Sequence, residues 1–178
     1  MPLLNFKLDT PSERSQRLTG TIKNDENHSI LITYPLTNGE TSDEGRFYVY
    51  LRAGELCIGS IAWPIPDMVD VYAPETPLLT RVEAGEAFTI SATIPTIGYL
   101  SYPYMSVDDA GGVLADAKRF ESAVFELGII DNSRSAKSLD VTPTKQRHFQ
   151  GSYGLIFHNQ FIVRTPVRLT TPLEIKSQ

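Results

Sequence analysis

The side chains able to do chemistry are few and widely spaced. His28, His148, His158 and Cys57 are the chain's nitrogen and sulfur metal ligands. A zinc site takes its donors in close pairs, so that one turn brings two of them to the ion. No H-x-x-x-H or C-x-x-C is present. No metal or other cofactor is therefore expected, and the three histidines read as surface or hairpin residues. Nucleophilic hydrolysis needs a serine or cysteine held by a histidine and an acid. Gly151-Ser152-Tyr153-Gly154 has the outline of a nucleophile elbow, but G-x-S-x-G is missing and the segment reads as an arm of a β-hairpin. Cys57 lies among Leu56, Ile58 and Gly59 with no basic neighbour in sequence, so it reads as a small buried hydrophobe. Gly111-Gly112 is followed by neither Lys-Ser nor the rest of a G-x-G-x-x-G, which removes the usual phosphate cradles.

Two acidic groupings remain, Asp67 with Asp70 and Asp108 with Asp109. Neither has the D-x-D-x-D-G spacing of a calcium loop, and Asp108 reads as a helix N-cap. An enzyme would have to pair Asp108 or Asp109 with His148 or His158 as acid and base, and nothing but their chemistry proposes it. Asn27-His28-Ser29 matches a glycosylation acceptor, which has meaning only in a secreted eukaryotic protein. Pro74-Glu75-Thr76-Pro77 has P-x-x-P spacing and is read as part of a crossover between sheets.

The leading functional candidates are Tyr99, Tyr102 and Tyr104, with Met105, Asp108 and Asp109, in the irregular stretch 96–112. Tyrosine and methionine give large contact areas at binding surfaces, and irregular stretches of this length are often functional. A structural reading competes, in which the rings cover the open end of a sandwich and Pro95 and Pro103 stiffen the loop. As a surface, the segment would bind another protein. Alternatively the rings would stack on a sugar or other flat ligand, with Asp108, Asp109 and Asn132 as acceptors.

The totals narrow the partners. A net charge of -5 and a pI near 5.2 oppose a phosphate backbone, so nucleic acid is not expected. Arg164 and Arg168 share a strand face, with Lys145 and Arg147 upstream; this reads as a solvated strand face. With 41% hydrophobic and 21% charged residues, 178 residues suit one globular domain spanning 1–178. One cysteine cannot form an internal disulfide, the N-terminus shows no basic-then-apolar leader, and no run has membrane-span length. A cytoplasmic location without a membrane partner is expected.

The elements that must position these residues are strands. Runs 46–52, 87–94 and 161–169 alternate β-branched or aromatic residues with polar ones, the period of a strand with one buried face. Expected hairpins join 17–23 to 30–34, 46–52 to 56–63, and 151–157 to 161–169. Run 3–8 reads as an edge strand, 121–130 as a strand, 113–120 as at most one short helix, and the proline-punctuated 63–77 as a crossover. Eight to ten strands make an all-β, two-sheet antiparallel β-sandwich that resembles the immunoglobulin-like or fibronectin-like architecture in outline. One cysteine rules out the Cys-Trp-Cys hallmark, and an architecture by itself implies no activity. The expected function is a non-catalytic protein-binding or assembly module, with homodimerisation through a sheet edge or face as an accompaniment.

Overall fold

Gln16, Leu18, Gly20 and Ile22 are buried while the residues between them are half-buried or exposed, the alternation of a strand lying on a core. The computed structural model describes residues 3–8, 15–34, 47–65, 78–101, 116–131, 142–145 and 148–176. In chain order the elements are β1 (Leu3–Leu8), β2 (Ser15–Lys23), β3 (Ile30–Tyr34), β4 (Tyr48–Arg52), β5 (Glu55–Ser60), β6 (Leu78–Val82) and β7 (Ala87–Pro95). After them come β8 (Ile97–Gly98), β9 (Lys118–Asp131), β10 (Thr142–Lys145), β11 (His148–Gln150), α1 (Tyr153–Asn159) and β12 (Gln160–Ile175).

The all-β expectation holds, and the strands form two sheets. The smaller has the order β1-β2-β7. The larger runs β10-β11-β6-β3-β9-β12-β8, with β5 also on β9 and β4 on β5. Leu18 and Ile22 of β2 and Ile90 and Ile94 of β7 share one apolar cluster with Ile32, Leu56, Ile58, Phe125, Leu127 and Val167 of the larger sheet. The core therefore lies between the sheets. Burial of each such side chain contributes about 1.5–3 kcal/mol.

The expectation that every pairing is antiparallel is corrected. β5 runs parallel to β9, and β8 parallel to β12. β9 is long enough to take two short neighbours on one edge, β5 at 124–127 and β3 at 129–131. Alternation fixes which face a residue occupies and carries no information about strand direction.

The β4–β5 hairpin forms as expected, around Ala53 and Gly54 at φ 51° and 83°, the left-handed pair that a two-residue turn requires. The first expected hairpin does not form. β2 pairs β1 and β7, whereas β3 pairs β6 and β9, so 24–29 crosses between the sheets. Buried Asn24 fixes this crossing and the one from β6 to β7 together. Its Nδ2 lies 2.9 Å from the His28 carbonyl, 3.1 Å from that of Val82 and 3.0 Å from that of Glu83, and its Oδ1 accepts the Glu26 N–H.

The final hairpin is also corrected. Residues 153–159 are α1, and β12 pairs instead with β9. A short apolar run suits a strand or a buried helical turn equally. Ile156 decides the matter by packing with Leu31, Ala62, Leu79 and Ile130 on the outer face of the larger sheet. Conversely, the expected helix near 113–120 is not borne out where it is described, since Lys118–Phe120 begins β9. Residues 66–77 of the expected crossover lie outside the described residues. Pro166 sits opposite Val124 of β9, where the second edge of β12 pairs with no described strand, as its missing N–H requires. No helix among the described residues is long and apolar enough to cross a membrane.

Candidate functional site

Residues 96–101 run from the end of β12 to the far edge of β4. The Glu174 N–H donates to the Thr96 carbonyl (2.9 Å) and that of Lys176 to Gly98 (3.0 Å). At the other end the Ser101 N–H donates to Val49 (2.6 Å), and the Val49 N–H donates back to the Ser101 hydroxyl (3.0 Å). Leu100 is buried in the core between these anchors. Ile97 and Tyr99 point the other way and are 52% and 56% exposed. A backbone held at both ends thus presents two large apolar side chains to solvent. Tyr102, Tyr104, Met105, Asp108 and Asp109 lie outside the described residues.

A second site occupies the outer face of the larger sheet and was not legible in the sequence. Glu126 of β9 is completely buried. β4 brings Tyr50 and Arg52 to it, β5 brings Cys57, and β12 brings Arg164. The Tyr50 hydroxyl donates to Oε2, while Arg164 Nε (2.8 Å) and Arg52 Nη1 (3.3 Å) approach Oε1. Arg164 also reaches Glu55 at 3.0 Å. Cys57 Sγ lies 3.8 Å from Glu126 and 4.0 Å from Arg164. Gly59 makes the approach possible, because a Cβ there would sit 2.7 Å from the Tyr50 hydroxyl and 3.3 Å from Glu126 Cβ. The Tyr50 ring stands edge-on to Trp63 at 4.5 Å.

The electrostatics of this cluster follow from its burial. Burial, and then the hydrogen bond to the Glu126 carboxylate, push the Tyr50 hydroxyl far above the usual phenol range. Burial and the charge of Glu126 likewise raise the Cys57 thiol, outweighing Arg164 and Arg52, which pull it down. Hydrogen bonding to Glu55 raises Arg164 further. Each carboxylate oxygen of Glu126 already has a donor. A raised thiol pKa disfavours the nucleophilic thiolate form. The cluster ties four strands together on a face that would otherwise hold a buried charge.

A further polar junction lies where β3 and β5 end against β9. The Thr33 hydroxyl accepts the Gly128 N–H (3.0 Å) and reaches the Ser60 carbonyl, replacing the ladder at the gap between the two strands. Gln160 continues the pairing by accepting the Ala62 N–H (2.9 Å) and donating to its carbonyl, and the Tyr153 hydroxyl donates to the Trp63 carbonyl.

The remaining candidates are separated in space or self-satisfied. His28 pairs with Asp131 (2.8 Å) and lies 2.9 Å from Asn27 Oδ1. His158 is exposed on α1, edge-on to Phe157, and His148 belongs to β11. Among the described residues no three His, Cys, Asp or Glu groups are placed to hold a metal ion. Ser152 precedes a helix rather than continuing a strand, but its backbone has ordinary extended values (φ -70°, ψ 144°). No histidine or acid contacts its hydroxyl among the described residues. Arg164 and Arg168 are exposed on the same face of β12, as their spacing predicts, yet Arg164 is committed to Glu126 and Glu55. The one signal for the cluster was Glu126 itself, a lone charge in the apolar run 123–130.

Comparison of the chain with protein-family models, with curated proteins and with solved structures finds no match.

Proposed function

We propose that this chain is a non-catalytic protein-binding β-sheet module, immunoglobulin-like or fibronectin-like in outline, that presents residues 97–99 to a partner. The observation that carries the reading is the contrast within 96–101. The backbone is bonded at Thr96, Gly98 and Ser101 and pinned by Leu100, while Ile97 and Tyr99 are exposed. Anchoring lowers the ordering cost of binding, and a rigid aromatic beside an aliphatic side chain supplies contact area for a partner's pocket. The self-neutralised cluster at Glu126 fits a binding protein better than an enzyme. A cytoplasmic partner is the expected setting.

The test is affinity capture from native lysate with the intact chain and with an Ile97→Ser/Tyr99→Ser variant. Hot-spot truncations cost about 1–2 kcal/mol each or more, so the double variant should lose at least about tenfold in affinity for the captured protein. Equal capture by both chains would remove 97–99 from the binding surface.

A further inference from the structure

Residues 97–99 offer backbone groups as well as side chains. β8 lies parallel to β12, with Ile97 opposite Glu174 and Gly98 opposite Ile175. The Glu174 N–H donates to the Thr96 carbonyl and the Lys176 N–H to the Gly98 carbonyl, so the even-numbered residues carry the ladder. In a parallel pair, the residue between two bonded ones turns its N–H and C=O to the other side. Ile97 therefore directs both groups away from β12. Ser101 has the same parity, and its N–H accordingly leaves β12 for the Val49 carbonyl. Tyr99 lies between them on that edge. Among the described residues, β8 pairs with β12 alone, and the N–H and C=O of Ile97 and Tyr99 have no hydrogen-bond partner.

The side chains beside this edge select what covers it. On the solvent face, the row of Ile97, Glu174 and Arg119 is neutral, because Glu174 of β12 stands opposite Arg119 of β9. Continuing both registers by one residue gives the next row as Tyr99, Lys176 and Ala117. Lys176 is exposed, and neither neighbour in its row is a carboxylate. Open main-chain groups beside an apolar pair and an unmatched lysine make a template for one more strand.

We propose that the partner at 97–99 is an extended, acidic peptide segment that adds to β8 as a strand, an inference that rests on the reading of 97–99 as the binding surface. Its main chain exchanges hydrogen bonds with Ile97 and Tyr99, and the side chains opposite those residues share their solvent face. An aliphatic residue opposite Ile97 extends the apolar contact. An aspartate or glutamate opposite Tyr99 lies two strand spacings, about 9–10 Å, from Lys176, a span that the two side chains bridge over the tyrosine ring. The charge of Lys176 then meets its complement. The recognition pattern is thus an aliphatic and an acidic residue two positions apart in an extended segment.

Selection of binders from a displayed library of random peptides against the full chain, followed by synthesis of the most enriched peptide, tests the proposal. That peptide should carry the aliphatic-x-acid pattern and slow amide hydrogen exchange at Ile97 and Tyr99. Methylating the peptide nitrogen that donates to Ile97 should weaken binding about tenfold, by removing a main-chain donor. Lys176→Glu, an exposed substitution, should weaken it at least about tenfold by turning attraction into repulsion, and Lys23→Gln on the smaller sheet should leave it unchanged. A peptide that Ile97→Ser/Tyr99→Ser releases but that tolerates N-methylation overturns strand addition and leaves 97–99 as a binding surface. One indifferent to Lys176→Glu overturns the acidic partner. A peptide indifferent to Ile97→Ser/Tyr99→Ser binds elsewhere and overturns the inference, as does a library that yields no binder; capture from lysate with the same double variant then decides the reading of 97–99 separately.

Discussion

Replacing Gly59 by alanine probes the Glu126 cluster at its tightest point. The new Cβ would lie 2.7 Å from the Tyr50 hydroxyl, inside contact distance, and 3.3 Å from Glu126 Cβ. Tyr50 has little room to yield, since its ring is set against Trp63 at 4.5 Å and its hydroxyl is bonded to a buried carboxylate. Relief requires breaking that bond, worth about 1.5–3 kcal/mol to a charged acceptor, or shifting β5 against β9 at an overpacking cost of about 1–3 kcal/mol. Gly59→Ala should therefore destabilise by about 2–4 kcal/mol. Tyr50→Phe alone should cost about 1.5–3 kcal/mol, because it leaves Oε2 of Glu126 without its donor. In the double variant the alanine no longer meets a hydroxyl, so its added cost should fall by about 1 kcal/mol or more. Urea unfolding of the four proteins, followed by the fluorescence of the single tryptophan, Trp63, closes the cycle. Additivity within about 0.5 kcal/mol would refute the steric coupling drawn between Gly59 and Tyr50.

Two further outcomes follow from buried polar groups. Asn24→Ala removes the amide that bonds the carbonyls of His28, Val82 and Glu83 at both sheet crossings, and should lower unfolding stability by about 2–3 kcal/mol; a loss below about 0.5 kcal/mol would remove Asn24 from that role. Stability should also fall at alkaline pH. Tyr50 and Cys57 both hold their protons more tightly folded than unfolded, so their contributions are complete below the unfolded pKa values and decline as the unfolded thiol ionises above about pH 8.5 and the phenol above about pH 10. Above about pH 10.5 the urea-derived stability of Tyr50→Phe should fall less steeply than that of the wild type, by up to about 1.4 kcal/mol per pH unit; equal slopes would contradict the raised Tyr50 pKa.

Self-neutralisation is what lets the Glu126 carboxylate sit buried in the sheet. Arg52 and Arg164 are 39% and 43% exposed, so water solvates their outer donors while the inner ones hold a carboxylate that water does not reach. A buried charge left single would be costly, and here it sits between two guanidinium groups and a phenol. The same economy appears at Gln16. Its buried amide donates to the Thr171 carbonyl (2.9 Å), at a point where β12 shifts register against β9 between Arg168 and Leu173. A side chain of the smaller sheet thereby satisfies the interrupted ladder of the larger one, and binds the layers by a polar contact beside the apolar core.

Local sequence determined the strands and their buried faces. The alternation through Leu18 and Ile22, through Ile90, Ala92 and Ile94, and through Ala123, Phe125, Leu127 and Ile129 fixed which side chains face the core, because side-chain direction along a strand depends on residue parity alone. It also determined the β4–β5 turn, where Gly54 follows directly on the alternating run, and the burial of Cys57. Tertiary structure decided what pairs with what. Pairing direction and partner depend on contacts between residues tens of positions apart, so the parallel run of β5 on β9, the crossings fixed by Asn24 and the sheet joined by β12 left no local trace. The run 153–159 became a helix because Ile156 found Leu31, Leu79 and Ile130 to cover. Glu126 became the centre of a polar cluster because three other strands bring Tyr50, Arg52, Cys57 and Arg164 to it, a convergence that exists only once the sheet has formed.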